Sequence, residues 1–82
     1  MYVDVILSPC QGKVEKVLIT KNSGFYEWEP LFHIKTADGR VEIIHIRVSG
    51  EIESLEVLEG EQVEAGMVLA YFKEDLFVTG SD

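Results

Sequence analysis

The stretch Gly50-Glu51-Ile52-Glu53-Ser54-Leu55-Glu56-Val57-Leu58-Glu59-Gly60-Glu61-Gln62-Val63-Glu64-Ala65-Gly66-Met67-Val68-Leu69-Ala70 carries the reading of this chain. Near its start apolar and polar residues alternate, so Leu55 and Val57 are expected to point inward while Ser54 and Glu56 face water. Gly60 and Gly66 then punctuate two turns before a second apolar run. Moving outward, a shift of 38 residues lays Gly12 to Lys35 on Gly50 to Lys73 without a gap. Gly12/Gly50, Glu15/Glu53, Leu31/Leu69 and Lys35/Lys73 are identical, and Val14/Ile52, Val17/Leu55, Ile19/Val57 and Phe25/Val63 stay apolar. The coincidence of turns with apolar spacing, more than the number of matches, suggests two repeated halves.

The remaining runs are also short and rich in Val, Ile, Phe and Tyr, which is strand chemistry, and no segment has helical periodicity. Strands are expected at Tyr2 to Leu7, Gly12 to Thr20, Leu31 to Thr36, Arg40 to Val48, Ile52 to Leu58 and Met67 to Lys73. The fold class is therefore all-β. Asp38-Gly39 reads as a two-residue type I′ hairpin with its tip over Ala37 to Arg40. That register sets His33 opposite Ile44 and His45 opposite Phe32, with the two histidines on opposite faces.

The chain has 82 residues, 46% of them hydrophobic and 27% charged, the balance of one small globular domain, expected over 1–76 with a flexible tail at 77–82. Fifteen acidic residues against seven Lys and Arg give a net charge of -8, which repels phosphate backbones and anionic membranes and argues against nucleic acid as a partner. No run approaches the roughly 18 to 20 apolar residues that span a bilayer, and no basic leader opens the chain, so a cytoplasmic location is expected. The lone Cys10 closes no intramolecular disulfide. It has no identifiable base beside it and reads as a small buried hydrophobe. His33 and His45 lack a third ligand at metal-site spacing, which argues against zinc.

The second half resembles the C-terminal half of biotinyl and lipoyl attachment domains, as in biotin carboxyl carrier proteins. Ser8-Pro9-Cys10-Gln11-Gly12-Lys13-Val14 looks like that family's opening S/A-P-x-x-G-x-V segment, so the resemblance covers about residues 7 to 73. It implies a barrel-sandwich hybrid, a flattened β-barrel of two quasi-symmetric halves. In that family a lysine at the apex of the linking hairpin carries biotin or lipoate. Here the hairpin reads Lys35-Thr36-Ala37-Asp38-Gly39-Arg40-Val41-Glu42, with Asp38 and Gly39 where the acceptor would stand. Arg40 is no substitute, because its guanidinium stays protonated and is a poor acyl acceptor. Lys35 is the nearest lysine, three residues before the turn.

The resemblance also fails at the first-half turn. Gly60 to Gly66 becomes Asn22-Ser23-Gly24-Phe25-Tyr26-Glu27-Trp28, so Trp28 stands where a turn glycine would be. A tryptophan with positive φ is strained, and a different loop conformation is expected there. Phe25 is expected to fill the core. Tyr26 and Trp28 either cap one end of the barrel or form an exposed docking patch beside Glu27, Glu29 and Pro30. Glu51, Glu53, Glu56, Glu59, Glu61 and Glu64 form a run without an intervening Lys or Arg, whose ordinary role is a solvated face; a basic partner surface is the alternative.

These readings converge on a non-catalytic biotinyl/lipoyl-like domain acting as a protein-binding or assembly module without a covalent cofactor, with Tyr26 and Trp28 as the candidate surface. The alternative is a biotin or lipoyl carrier subunit of an acyl-CoA carboxylase-type complex, acylated at an atypical lysine such as Lys35. A homodimer is compatible with either.

Overall fold

In the computed structural model, which describes residues 3–75, the chain is all-β with two four-stranded antiparallel sheets. The expected start of the first strand at Tyr2 and the expected tail at 77–82 lie outside the described residues. The strands are β1 (Asp4–Leu7), β2 (Gly12–Val17), β3 (Gly24–Phe25), β4 (Phe32–Lys35), β5 (Val41–Ile44), β6 (Gly50–Leu55), β7 (Gln62–Val63) and β8 (Val68–Glu74). Strand order is β1-β8-β6-β3 in one sheet and β5-β4-β2-β7 in the other. Each sheet takes two strands from each half of the chain, and the 38-residue shift maps one sheet onto the other. β3 and β7, each two residues long, escape detection by periodicity because so short a segment has none.

The repetition extends to register. In the first half Lys13 pairs with Lys35, Val14 with Ile34, Lys16 with His33 and Val17 with Phe32. In the second half Glu51 pairs with Lys73, Ile52 with Phe72, Ser54 with Tyr71 and Leu55 with Ala70, the same pairs displaced by 38. Both ladders break at the equivalent point, between Val14 and Lys16 and between Ile52 and Ser54. Such a bulge bends the strand and sharpens its twist, which lets two flat sheets close into one flattened barrel. The expected inward pair is found, Val57 buried and Leu55 half-buried against the core, because the bulge shifts the alternation after Ile52 and sets Leu55 opposite the buried Ala70.

Gly12 and Gly50 occupy equivalent crowded positions. A Cβ at Gly12 would lie 2.5 Å from the carbonyl oxygen of Lys35, and one at Gly50 would collide with the carbonyl oxygen of Lys73. Only a residue without a side chain lets the neighbouring strands approach this closely.

The core lies between the sheets. Val14, Phe32 and Ile34 from one sheet meet Ile52, Leu69 and Phe72 from the other. Phe25 fills the core as expected, 3% exposed, with its ring 5.5 Å from that of Phe72 in an edge-to-face arrangement. Cys10 is half-buried and packs against this core.

The linking hairpin differs from expectation. Lys35 pairs with Val41, His33 with Ile43 and Phe32 with Ile44, so the loop holds three residues, Ala37 to Gly39. The Gly39 N–H donates to the Thr36 carbonyl at 3.0 Å and the Thr36 N–H to the Arg40 carbonyl at 2.8 Å. Only Gly39 has positive φ (88°), which is the form of a type I turn followed by a glycine bulge. Hydrophobic pairing explains the choice: this register puts Phe32 and Ile44 together in the core, whereas the two-residue turn would pair Phe32 with a histidine. His33 and His45 consequently fall on the same outward side, and His45 is exposed.

Candidate functional site

The hairpin tip is held by its own side chains. The Asp38 carboxylate accepts from the Thr36 hydroxyl and from the Arg40 N–H at 3.4 Å, and the Arg40 guanidinium lies 2.9 Å away. The Thr36 hydroxyl first, then the Arg40 N–H and the Arg40 charge, keep the Asp38 carboxyl below its ordinary range. The tip, residues 36–40, thus contains no primary amine. Acyl transfer to nitrogen needs a neutral amine as nucleophile, and neither a carboxylate nor a guanidinium provides one.

Lys35 ends β4, directly opposite Val41 on one side and Lys13 on the other. It is exposed and lines a surface cleft of about 340 Å³ with Gln11, Lys13, Thr36 and Gln62. Its equivalent, Lys73, is tied to Glu53 at 3.1 Å, whereas no carboxylate among the described residues stands within salt-bridge distance of Lys35. Lys35 is therefore a chemically available amine on a strand, not at an apex.

The aromatic pair lies at the opposite sheet's edge, just after β3. Tyr26 is 79% and Trp28 58% exposed, so neither serves as a buried end-cap. Contrary to expectation, the loop that carries them matches its second-half equivalent. The Glu29 N–H donates to the Tyr26 carbonyl and the Met67 N–H to the Glu64 carbonyl, each at 3.1 Å. The N–H of Trp28 donates to Ile46 and that of Gly66 to Ser8, each at 2.8 Å. Trp28 has φ 63° and Gly66 has φ 91°. This is the third position of a turn that normally takes glycine, and a bulky L-residue there carries about 1–2 kcal/mol of strain. Two contacts replace glycine's freedom. The Glu29 carboxylate accepts from the Tyr26 N–H at 2.8 Å, and the indole meets the His45 ring edge-to-face with centroids 5.3 Å apart. The other substituted turn glycine, at Asn22 (φ 70°), falls on a residue type that tolerates this conformation.

A cleft of about 580 Å³ lined by Asn22, Gly24, Tyr26, Ser49 and Gly50 opens beside this loop. The sequence singled out Tyr26 and Trp28 but missed their neighbours. Val41 and Ile43 stand exposed on β5, four and two positions before the His45 whose ring Trp28 meets. Their outward alternation was legible only in the correct hairpin register. Among the described residues no group of three or more His, Cys, Asp or Glu side chains could hold a metal ion. No helix of the described residues is long and apolar enough to cross a membrane.

Fold and symmetry together define a barrel-sandwich domain of two quasi-identical halves. No protein-family profile matches the chain, and no curated protein sequence matches it. Solved structures do. Urea carboxylase from Kluyveromyces lactis matches 89% of this chain with a TM-score of 0.78 and 16% identity. A single-chain, multi-domain long-chain acyl-CoA carboxylase matches 94% of it with a TM-score of 0.83, also at 16% identity. The chain spans only 6% and 8% of the length of those two proteins, and at this identity the likeness concerns the fold.

Proposed function

We propose that this chain is a biotinyl/lipoyl-like module whose work is to bind a partner protein, non-catalytically and without a covalently attached cofactor. The observation that carries the proposal is the hairpin tip. The two halves keep their register residue for residue, yet the loop that joins them offers Thr36, Ala37, Asp38, Gly39 and Arg40, with Asp38 already engaged. The fold shared with segments of two carboxylases supports a carrier-like ancestry, and the exposed Tyr26 and Trp28 supply a surface for recognition. The intact mass of the protein from its native host, grown with biotin and lipoate, tests the reading. An unmodified mass is expected while a control carrier in the same cells is acylated. An adduct of biotinyl or lipoyl mass on any lysine sinks it.

One observation favours a second reading, a carrier subunit acylated at Lys35: its amine is exposed and unpaired among the described residues while the equivalent Lys73 is not. Peptide mapping of the same preparation separates the two.

A further inference from the structure

Resting on the reading of a binding module, we infer that the outer edge of β5, which no strand among the described residues covers, takes up an extended segment of a partner protein, apolar and acidic in character, as an added strand. β5 closes one side of its sheet. Because Thr36 and Arg40 share a hydrogen bond next to the turn, the alternation of the ladder makes Ile34/Glu42 and Phe32/Ile44 the bonded pairs. The N–H and C=O groups of Val41 and Ile43 therefore face away from β4, where a further strand would pair with them.

The side chains of the same two residues stand on the outward face of the sheet. Val41 and Ile43 are 45% and 49% exposed, and the row continues through His45 to the indole of Trp28. From Val41 to His45 the row runs about 13 Å, enough for four residues of an extended peptide. Edges of monomeric sheets are usually guarded by Pro, Lys, a bulge or an inward-pointing charge; Val41 to Ile44 carries only the last, Glu42 opposite Ile34, which leaves the outward face of Val41 and Ile43 unguarded.

Charge selects the partner. Lys35 stands opposite Val41, Lys13 opposite Lys35, and Lys16 opposite the His33 that faces Ile43, so three lysines lie beside the apolar row. An added strand lies about 9.6 Å from β4, within reach of long side chains on both. Acidic residues facing the lysines and apolar ones covering Ile43 and Trp28 complement this surface. A second copy does not. Isologous pairing of β5 turns one lysine-bearing face toward the other, with no acidic side chain on the outward face of β5 to offset it.

β1 is the equivalent edge and supplies an internal control. Val5 and Leu7 are exposed on it and Val3 just before it, but Gly66 replaces Trp28 and Lys73 is neutralised by Glu53.

The test selects a displayed library of random twelve-residue peptides against the immobilised full chain, then adds the enriched peptide to the protein in solution. Enriched sequences are expected to carry apolar residues and Asp or Glu at i, i+2 spacing, on the one face that meets Val41, Ile43 and Lys35. At saturation they slow amide exchange at Val41 and Ile43 at least about tenfold and leave Val5 unchanged. Ile43→Lys lowers affinity about tenfold or more with an unchanged melting temperature, and Lys35→Glu turns the selection toward basic peptides. Failure to enrich any peptide overturns the inference, as does protection of Val5 instead of Val41 and Ile43. A dimer whose Val41 and Ile43 amides are already protected gives the edge to a second copy and overturns it too. Intact mass of the same preparation keeps the two levels apart. A biotinyl or lipoyl adduct defeats the binding-module reading, whereas a clean mass without peptide enrichment defeats only the assignment of β5.

Discussion

Trp28 offers a measurement of how strongly the internal repeat is imposed on the chain. Its φ of 63° matches the φ of 91° at Gly66, although the two residues have opposite conformational preferences. Replacing Trp28 by Ala and by Gly removes the same indole contact with His45 in both variants. The difference between them therefore isolates the backbone. A left-handed non-glycine residue costs about 1–2 kcal/mol, and glycine gives back about 0.5–1 kcal/mol through its freer unfolded chain. Trp28→Gly is thus expected to be more stable than Trp28→Ala by about 0.5–1 kcal/mol. For a domain of this size that is about 2–8 °C in melting temperature. Thermal or urea unfolding of the two purified variants reads the difference directly. An Ala variant equal to or more stable than the Gly variant would show that residue 28 is not left-handed, and the argument from matched loops would fail with it.

Other consequences follow from the core, the crowded glycines and the hairpin. Gly12→Ala and Gly50→Ala should each destabilise by about 1–3 kcal/mol through backbone collision with Lys35 and Lys73, seen as a lower urea midpoint. A control, Gly24→Ala, with no neighbour closer than 3.6 Å to the added atom, should cost far less. Phe25→Ala removes the partner of the Phe72 ring and should cost about 3–5 kcal/mol, enough to leave so small a domain largely unfolded by circular dichroism at 37 °C. Asp38 is held below its ordinary carboxylate range, so its stabilising effect is full above that range and is lost as pH falls through its lowered value. Carboxyl NMR should place its titration below the ordinary aspartate range, and Asp38→Asn should flatten the acid limb of the stability curve.

Much of the fold was legible because the sequence states it twice. The 38-residue shift, the glycines at 12 and 50 and the alternation of Val14 with Ile52 identify a two-fold repetition that the paired registers reproduce. The hairpin was misread because Asp38-Gly39 favours a two-residue turn locally, and the burial of Phe32 against Ile44 outweighs that preference. Trp28 was misjudged for the converse reason. Its intrinsic preference argued for a new loop, but the bond from its N–H to Ile46 and the Glu29 carboxylate on Tyr26 hold the old one. The candidate surface was only half visible. Tyr26 and Trp28 announce themselves by residue type, whereas the contribution of Val41 and Ile43 depends on which way an edge strand faces, a property of register and not of composition.

The way the strands are shared between sheets bears on how such a chain can arise. β1 and β3 complete a sheet whose other strands, β6 and β8, belong to the second half, and the reverse holds for β5 and β7. One repeat alone would leave both sheets unfinished, with its apolar faces open to water. Two identical copies of it would supply all eight strands. The molecule is in this sense a dimer joined end to end, and residues 36–40 are the weld. Every strand of both sheets lies outside that weld, so a substitution within it that keeps the three-residue turn leaves the barrel whole.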